Sequence, residues 1–496
     1  MKNLPQSIKD LIKRDKTLKD TSMIPHIGHG ICDEKFSYDV RKLEKSAYIY
    51  RNKIYTFLDS SNKNDKFYNL GGGDPIDFKP FPPALKAIKQ TIKCHEMHGY
   101  PLSQGDKEYK YNIVEYIKSI KINNNDNLNT DNIIFTQSTT HAFSLIMKSI
   151  LRPYDVVLFT SPCYGLFAYT PERIGGISKF LKLSESDNWL PNPKKLKNRI
   201  KRLNSELSKK YSKLDYVPKV AAFVNINPHN PLGTVLSEKH KNLIYKIGKI
   251  CKDNGAFLID DLVYYDISYD KDKPPLPVAS FNNLFDNTIS MLGLSKSYGL
   301  AGLRAGIIVA NDALIRSIRN NIFHDMDSIS IVQAAALSAS FCTTKYRAKE
   351  YDKYFKKVIA KYKHKFNIVK AFTCGIKSLD LHEQKKILKQ IKSQNIPLDL
   401  LDNTCQLKLS ITPESGFFAL VNFNSLKNKK YKDYVIRSAE DLLCFVFKES
   451  RLKFLTGKSF SWPNDSDIIG RITYSYSDEK LISRLAKLIN TIKLLK

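Results

Sequence analysis

The chain has 496 residues, 42% hydrophobic and 26% charged, with 27 Tyr and 26 Phe. That is enough apolar material for a large core, and it excludes a disordered or fibrous protein. The formal net charge of +30 is carried by Lys spread along the chain beside abundant Asn and Ile, a compositional bias rather than a nucleic-acid or membrane surface.

The eight cysteines, Cys32, Cys94, Cys163, Cys251, Cys342, Cys374, Cys405 and Cys444, have no CxxC spacing, which argues for a reducing cytoplasm. The N-terminal stretch MKNLPQSIKDLIKRDK is amphipathic without a continuous apolar core, and no run approaches the length that spans a bilayer. A soluble, cytoplasmic protein is expected.

Taken in chain order, the apolar runs NIIFT (132–136), DVVLFT (155–160), VAAFVNI (220–226), AFLID (256–260), TISMLG (288–293) and AGIIVA (305–310) read as buried strands. Helix-length segments such as HAFSLIMKSIL and EKHKNLIYKIGKICKDNG separate most of them. Strands alternating with helices predict a largely parallel sheet covered on both faces. After about residue 312 helices dominate (ALIRSIRNNIF, SIVQAAALSASF and the run 345–370), followed by the strands GFFALVNF and GRITYSYS. A second lobe of α+β type is predicted there. Two basic stretches, 194–214 and 382–394, have the look of inserted, solvated helices.

One lysine stands apart. In GLSKSYGLAGLRAG (293–306), Lys296 follows an apolar strand among small and hydroxyl residues, and Arg304 lies shortly after it. A nucleophilic lysine must spend time neutral, which burial and neighbouring positive charge favour; the arginine fork binds anions. Schiff-base chemistry on a phosphate-bearing aldehyde would use both. In TQSTTHAF, Ser138, Thr139 and Thr140 sit at a predicted helix N-terminus, where free N–H groups bind phosphate, although an ordinary N-cap reads the same way. NPHNPLG (227–233) offers Asn230, and DDLVY (260–264) a carboxylate and a phenol.

Together these segments resemble the class I/II aminotransferases among the fold-type I pyridoxal-phosphate enzymes. The landmarks GGGDP, YPLSQG, STTHA, SPCYGLF, NPHNPLG, DDLVY, SKSYGLAGLRAG and GRITYS occur in the family's order from residue 71 to the C-terminus. The resemblance implies an α/β fold: a large domain (81–330) with a mostly parallel seven-stranded sheet between helices, a small α+β domain (331–496), and an N-terminal arm (1–80) that joins the small domain. It implies pyridoxal 5'-phosphate as cofactor, with Lys296 as the lysine that binds the aldehyde and shuttles the substrate's proton. Asp261 matches the aspartate at the pyridine nitrogen, with Asp260 an adjacent competitor. Asn230 and Tyr264 match the residues at the 3' oxygen, and Tyr164 the aromatic ring stacked on the cofactor. Phosphate would be held by Ser138, Thr139, Thr140 and Arg304, beside Ser295, and by Tyr100 reaching across a homodimer interface. Arg471 matches the arginine that grips the substrate α-carboxylate, near Asn230.

The implied reaction is ping-pong transfer of an amino group between an L-amino acid and a 2-oxo acid through aldimine and quinonoid states. A lyase, cyclase or oxidase would need the same lysine, aspartate and arginine. A DNA-binding regulator with an aminotransferase-like lobe would need a winged helix, and the 70 or so residues before GGGDP show no helix-turn-helix pattern. Three positions depart from the family: Leu232 in the NP-x-NP-x-G turn, Lys110 where arginine is common, and Gly293 where relatives carry a phosphate-binding serine. The last implies one phosphate contact fewer. Cys94, His95 and His98 in CHEMHG do not have zincin spacing, and no metal is expected. His26 and His29 fall in the arm that closes over substrate in relatives, where a plain loop is the simpler reading.

Overall fold

The computed structural model describes residues 68–123 and 128–496. His26 and His29 lie outside the described residues, as does most of the expected arm. CHEMHG contributes a short 3-10 turn, His95–His98.

Seven strands form the main sheet: β1 (Ile133–Thr136), β2 (Val156–Ser161), β3 (Ile177–Lys182), β4 (Val220–Ile226), β5 (Phe257–Asp261), β6 (Thr288–Gly293) and β7 (Gly306–Val309). Their order is β1-β7-β6-β5-β4-β2-β3. Only β7 runs against its neighbours, pairing antiparallel with both β1 and β6. All but β3 are buried end to end or nearly so, as expected of strands covered on both faces. Strand β3, ISKFLK, is half-exposed at the sheet edge; its Ser and Lys residues hide it from an apolar-run reading and suit an edge.

The helices are α1 (Pro82–Thr91), α2 (Lys107–Ser119), α3 (Ser138–Ile150), α4 (Gly165–Tyr169), α5 (Pro193–Lys210), α6 (Lys241–Asp253), α7 (Asp312–Met326), α8 (Ile331–Ser340), α9 (Lys345–Cys374), α10 (Leu381–Ser393), α11 (Ala439–Ser450) and α12 (Asp478–Ile492). Residues of α3, α4 and α7 share one core with Ile259 of β5, while α5 and α6 share another with Leu258. The two faces of the sheet are thus covered by different helices.

The basic stretch 194–214 corrects the sequence reading. Helix α5 is the crossover from β3 to β4, and it buries Leu196, Ile200, Leu203 and Leu207 at helical spacing against the sheet. Its lysines and arginines occupy the remaining positions and mask the stripe. The stretch 382–394 behaves more nearly as read: α10 buries only Ile387 and Ile391 and is capped by Asp380, whose carboxylate accepts from the Glu383 N–H.

A second, antiparallel sheet has the order β10-β11-β9-β8, with β8 (Lys408–Leu409), β9 (Phe418–Asn422), β10 (Leu455–Thr456) and β11 (Ile469–Thr473). Helices α9, α11 and α12 bury apolar faces in the same core as this sheet. Beside it, Tyr68–Asn69, at the start of the described residues, pairs in parallel with Leu452–Lys453 as a separate two-stranded sheet.

Candidate active site

The C-terminal ends of β5 and β6, the N-terminus of α3 and strand β11 converge on a cavity of about 390 Å³. Eleven of the twelve expected residues line it: Ser138, Thr139, Thr140, Tyr164, Asn230, Asp261, Tyr264, Ser295, Lys296, Arg304 and Arg471. Tyr100 does not; it is 93% exposed. Gly73, Leu166, Phe167, Val263 and Phe418 also line the cavity. Gly73 belongs to a landmark already noted, whereas Phe418 becomes legible only through the pairing of β9 with β11.

Lys296 follows β6. Its Nζ donates to the Gly73 carbonyl at 2.8 Å. Burial lowers its pKa to about 8; Asp74 and Asp261 oppose the shift, and Arg471 and Arg304 add to it. A lysine so placed has a neutral fraction near physiological pH far larger than that of an ordinary lysine, and the neutral amine is the form a nucleophile requires.

Asp260 and Asp261 are consecutive on β5, so they face opposite sides. Asp260 faces the α5 and α6 side, where it accepts from Asn225 Nδ2 at 2.7 Å and the Val278 N–H at 2.9 Å. Both of its oxygens are engaged by the scaffold. Asp261 alone reaches the cavity; its Oδ1 accepts from the Val263 N–H at 3.2 Å. Burial raises the Asp261 pKa to about 7 and that of Asp260 to about 6, so a cationic partner at the Asp261 carboxyl would relieve an unfavourable buried charge.

At the other end of the cavity, Arg304 Nη2 donates to Ser138 Oγ at 2.7 Å and Nη1 to the Ala301 carbonyl at 2.9 Å. Ser138 has φ 82° and Arg304 φ 58°, left-handed conformations that cost a non-glycine residue about 1 kcal/mol or more. Gln333 Nε2 steadies this turn by donating to the Leu303 and Arg304 carbonyls. The free N–H groups of α3 open toward the same spot, where anions are favoured. A Cβ at Gly293 would lie 3.1 Å from the Thr139 methyl and 3.3 Å from the Ala305 carbonyl oxygen. A serine there would crowd Thr139, so Gly293 and Thr139 are matched.

Arg471, on β11, is 6% exposed, and burial lowers its pKa to about 10. Its Nη1 donates to Asn230 Oδ1 at 3.2 Å and its Nη2 to the Gly71 carbonyl at 3.1 Å, and its guanidinium lies 4.0 Å over the Phe418 ring. Nε has no hydrogen-bond partner, and no carboxylate among the described residues forms an ion pair with this arginine. Asn230 Nδ2 in turn donates to the Tyr264 hydroxyl at 3.5 Å. Burial drives the Tyr264 phenol well above its ordinary pKa and raises that of Tyr164, whose ring meets Phe167 edge-on at 5.0 Å. A buried cation short of partners is an anion site in waiting.

Residues 65–382 match the family model for aminotransferase class I and II. The chain belongs to this family. The aminotransferase fold extends over nearly the whole chain. The aspartate aminotransferase of Rhizobium meliloti superposes with a TM-score of 0.71 at 16% identity, over 91% of this chain and 96% of that one. In sequence, the aspartate aminotransferase of Pyrococcus horikoshii is 22% identical over 449 residues, 90% of this chain and 95% of the relative. The LL-diaminopimelate aminotransferase of Natranaerobius thermophilus is 28% identical over 257 residues, 52% and 60% of the two chains. The chain is accordingly a transaminase.

Aminotransferases of this family work with pyridoxal phosphate, and the donor set here fits that cofactor. An amine of lowered pKa stands for the aldehyde, a buried carboxyl with raised pKa for the ring nitrogen, and a helix N-terminus with an arginine for the phosphate. No helix among the described residues is long and apolar enough to cross a membrane.

Proposed function

We propose that this transaminase binds pyridoxal 5'-phosphate in the 390 Å³ cavity and moves an amino group between an L-amino acid and a 2-oxo acid in the cytoplasm. When bound, the cofactor supplies the electron sink that lets an unactivated α C–H ionise. The chain supplies the rest. Ser138, Thr139, Thr140 and Arg304 hold the phosphate, with Ser295 beside them, and the φ strain of the turn aims the donors inward. Asp261 holds the ring-nitrogen proton, and Asn230 and Tyr264 donate to the 3' oxygen. Tyr164 and Val263, which both line the cavity, would pack against the ring. Arg471 binds the α-carboxylate as a bidentate fork, which orients the substrate's α C–H toward Lys296. Lys296 Nζ then takes the proton from Cα. Its lowered pKa suits a general base at neutral pH.

The observation that carries this reading is the pairing, in one cavity, of a lysine with lowered pKa and a carboxyl with raised pKa. Titratable groups displaced this far from their ordinary values by burial, and gathered in one cleft, mark a functional site. Residues 81–330 form the large cofactor-binding domain in this reading, with 331–496 and the end of the 1–80 arm as the small one. The exposed Tyr100 is assigned to the phosphate site of a second subunit, which makes the working unit a homodimer.

The test is a panel of amino-acid donors added to the chain loaded with pyridoxal phosphate, followed by absorbance and product mass. Loss of the visible band with formation of a 2-oxo acid is expected, and Lys296→Ala should show no such band before donor is added. Release of ammonia or consumption of O₂ without the aminated cofactor would reject transfer in favour of elimination or oxidation.

A further inference from the structure

Residues 70–81 lead away from the small sheet past the cavity, which Gly73 lines. The Leu70 carbonyl accepts from the Thr473 N–H and the Phe81 N–H donates to the Tyr298 carbonyl. Between these ends the strap presents two carbonyls to two charged groups: Gly71 to Arg471 at 3.1 Å and Gly73 to Lys296 at 2.8 Å. It also brings the Asp74 carboxylate near Lys296, where it favours the charged amine.

The strap has its own fastening. Ser475 Oγ donates to the Asp74 carbonyl, and the Asp77 N–H to the Ser475 carbonyl at 3.1 Å. The Asp77 carboxylate receives the Lys365 ammonium from α9, a side chain only 1% exposed. Lys361, one turn earlier and half-exposed, stands 3.6 Å from the same carboxylate. Both ammonium groups lie about 5 Å from the Phe78 ring, which meets Tyr362 edge-on at 4.8 Å. A buried ion pair is an inefficient stabiliser compared with apolar packing, and its best-attested use is to fix one register among several.

We infer that Lys365, through Asp77, is a positioning residue for catalysis: the pair locks the 71–77 strap so that its carbonyls and Asp74 hold Lys296 and Arg471 in working geometry. It touches neither the cavity nor any reacting atom. The inference rests on the proposed roles of Lys296 and Arg471, and it makes the proton affinity of Lys296 depend on a pair in the other lobe. The groups facing Lys296 are Asp74, Asp261, Arg304 and Arg471; only the first is carried by the strap.

The test uses the full chain loaded with pyridoxal phosphate and four variants: Asp77→Asn, Lys365→Met, Lys365→Arg and Lys361→Met. Asp77→Asn and Lys365→Met are expected to speed amide hydrogen exchange at 71–77 about tenfold or more. They should also lower the pH midpoint of the visible band by roughly one unit, the effect of losing one hydrogen bond to a charged group. Lys365→Arg should restore both, and Lys361→Met should change neither. Faster exchange with an unmoved midpoint would reduce the pair to a structural tie and overturn the inference, as would no change at all. If Lys365→Met fails to fold, Asp77→Asn decides. A wild-type chain that takes up no pyridoxal phosphate would defeat the cofactor assignment instead. The strap would then be read from exchange and from the pH dependence of Lys296 labelling by trinitrobenzenesulfonate, and unchanged values in Asp77→Asn would overturn it.

Discussion

Replacing Asp261 by Asn should stabilise the cofactor-free chain while disabling it. The carboxyl's ordinary pKa of 3.8 rises to about 7 in the fold because burial penalises the anion. Between those values the folded state binds more protons than the unfolded one, so stability falls as pH rises through the window and levels off above about 7. A rise from 3.8 to about 7, at about 1.4 kcal/mol per unit, makes the cost at pH 8 about 4 kcal/mol. The amide of the Asp261→Asn variant cannot ionise and escapes this cost, but it keeps a polar group in the same buried place, so the figure is an upper limit on the gain. The assay is urea unfolding of wild type and Asp261→Asn, both without cofactor, at pH 5 and pH 8. The wild type should lose stability between the two. The variant should lose less, the difference between the two proteins being the part due to Asp261. Loading with pyridoxal phosphate should then reverse the ranking, because a ring-nitrogen cation relieves the wild-type carboxylate and offers nothing to an amide. Parallel pH profiles for the two proteins would refute the reasoning, since they would mean that Asp261 ionises in the fold as freely as in the unfolded chain.

Ser138→Gly should lower the melting temperature of the cofactor-free chain slightly, because relief of about 1 kcal/mol of strain at the 82° φ is outweighed by loss of the hydroxyl that accepts from Arg304, a bond to a charged group worth about 1.5–3 kcal/mol. Loss of the hydroxyl that meets Arg304 should at the same time weaken binding of pyridoxal phosphate about tenfold, read by absorbance titration. In α5, Leu203→Asp should destabilise by about 3 kcal/mol or more through a buried, unpaired carboxylate, whereas Lys201→Asp, on the exposed side, should stay within about 0.5 kcal/mol in the same denaturant assay.

Six strands of the main sheet and the helices between residues 312 and 374 are legible in the sequence because buried strands and long amphipathic helices leave strong periodic signals. Helices α11 and α12 go unread. So does the seventh strand: Ile177–Lys182 lies at an edge, where solvent tolerates Ser and Lys. Helix α5 misleads for a related reason, as its four apolar residues are spaced correctly but outnumbered by charge. At the site, the lysine, the phosphate turn and Arg471 stand out through segments whose order can be read along the chain. That Asp260 and Asp261 face opposite ways follows from the twofold alternation of a strand, but which of them meets the cavity depends on the helices on each side. Phe418 and the Asp77–Lys365 pair leave no local trace of their roles, because each acquires its meaning from a partner far away in sequence.

Strands β6 and β7 meet with Gly293 directly opposite Gly306, and the segment between them carries both Lys296 and Arg304. The two groups that would grasp opposite ends of one cofactor are thus borne by a single closed loop, whose base is pinned by an antiparallel pair. Their separation is a local length. Movement of one lobe against the other, or exchange of the residues that read the substrate, leaves that ruler intact, so grip on the cofactor and choice of substrate can vary independently.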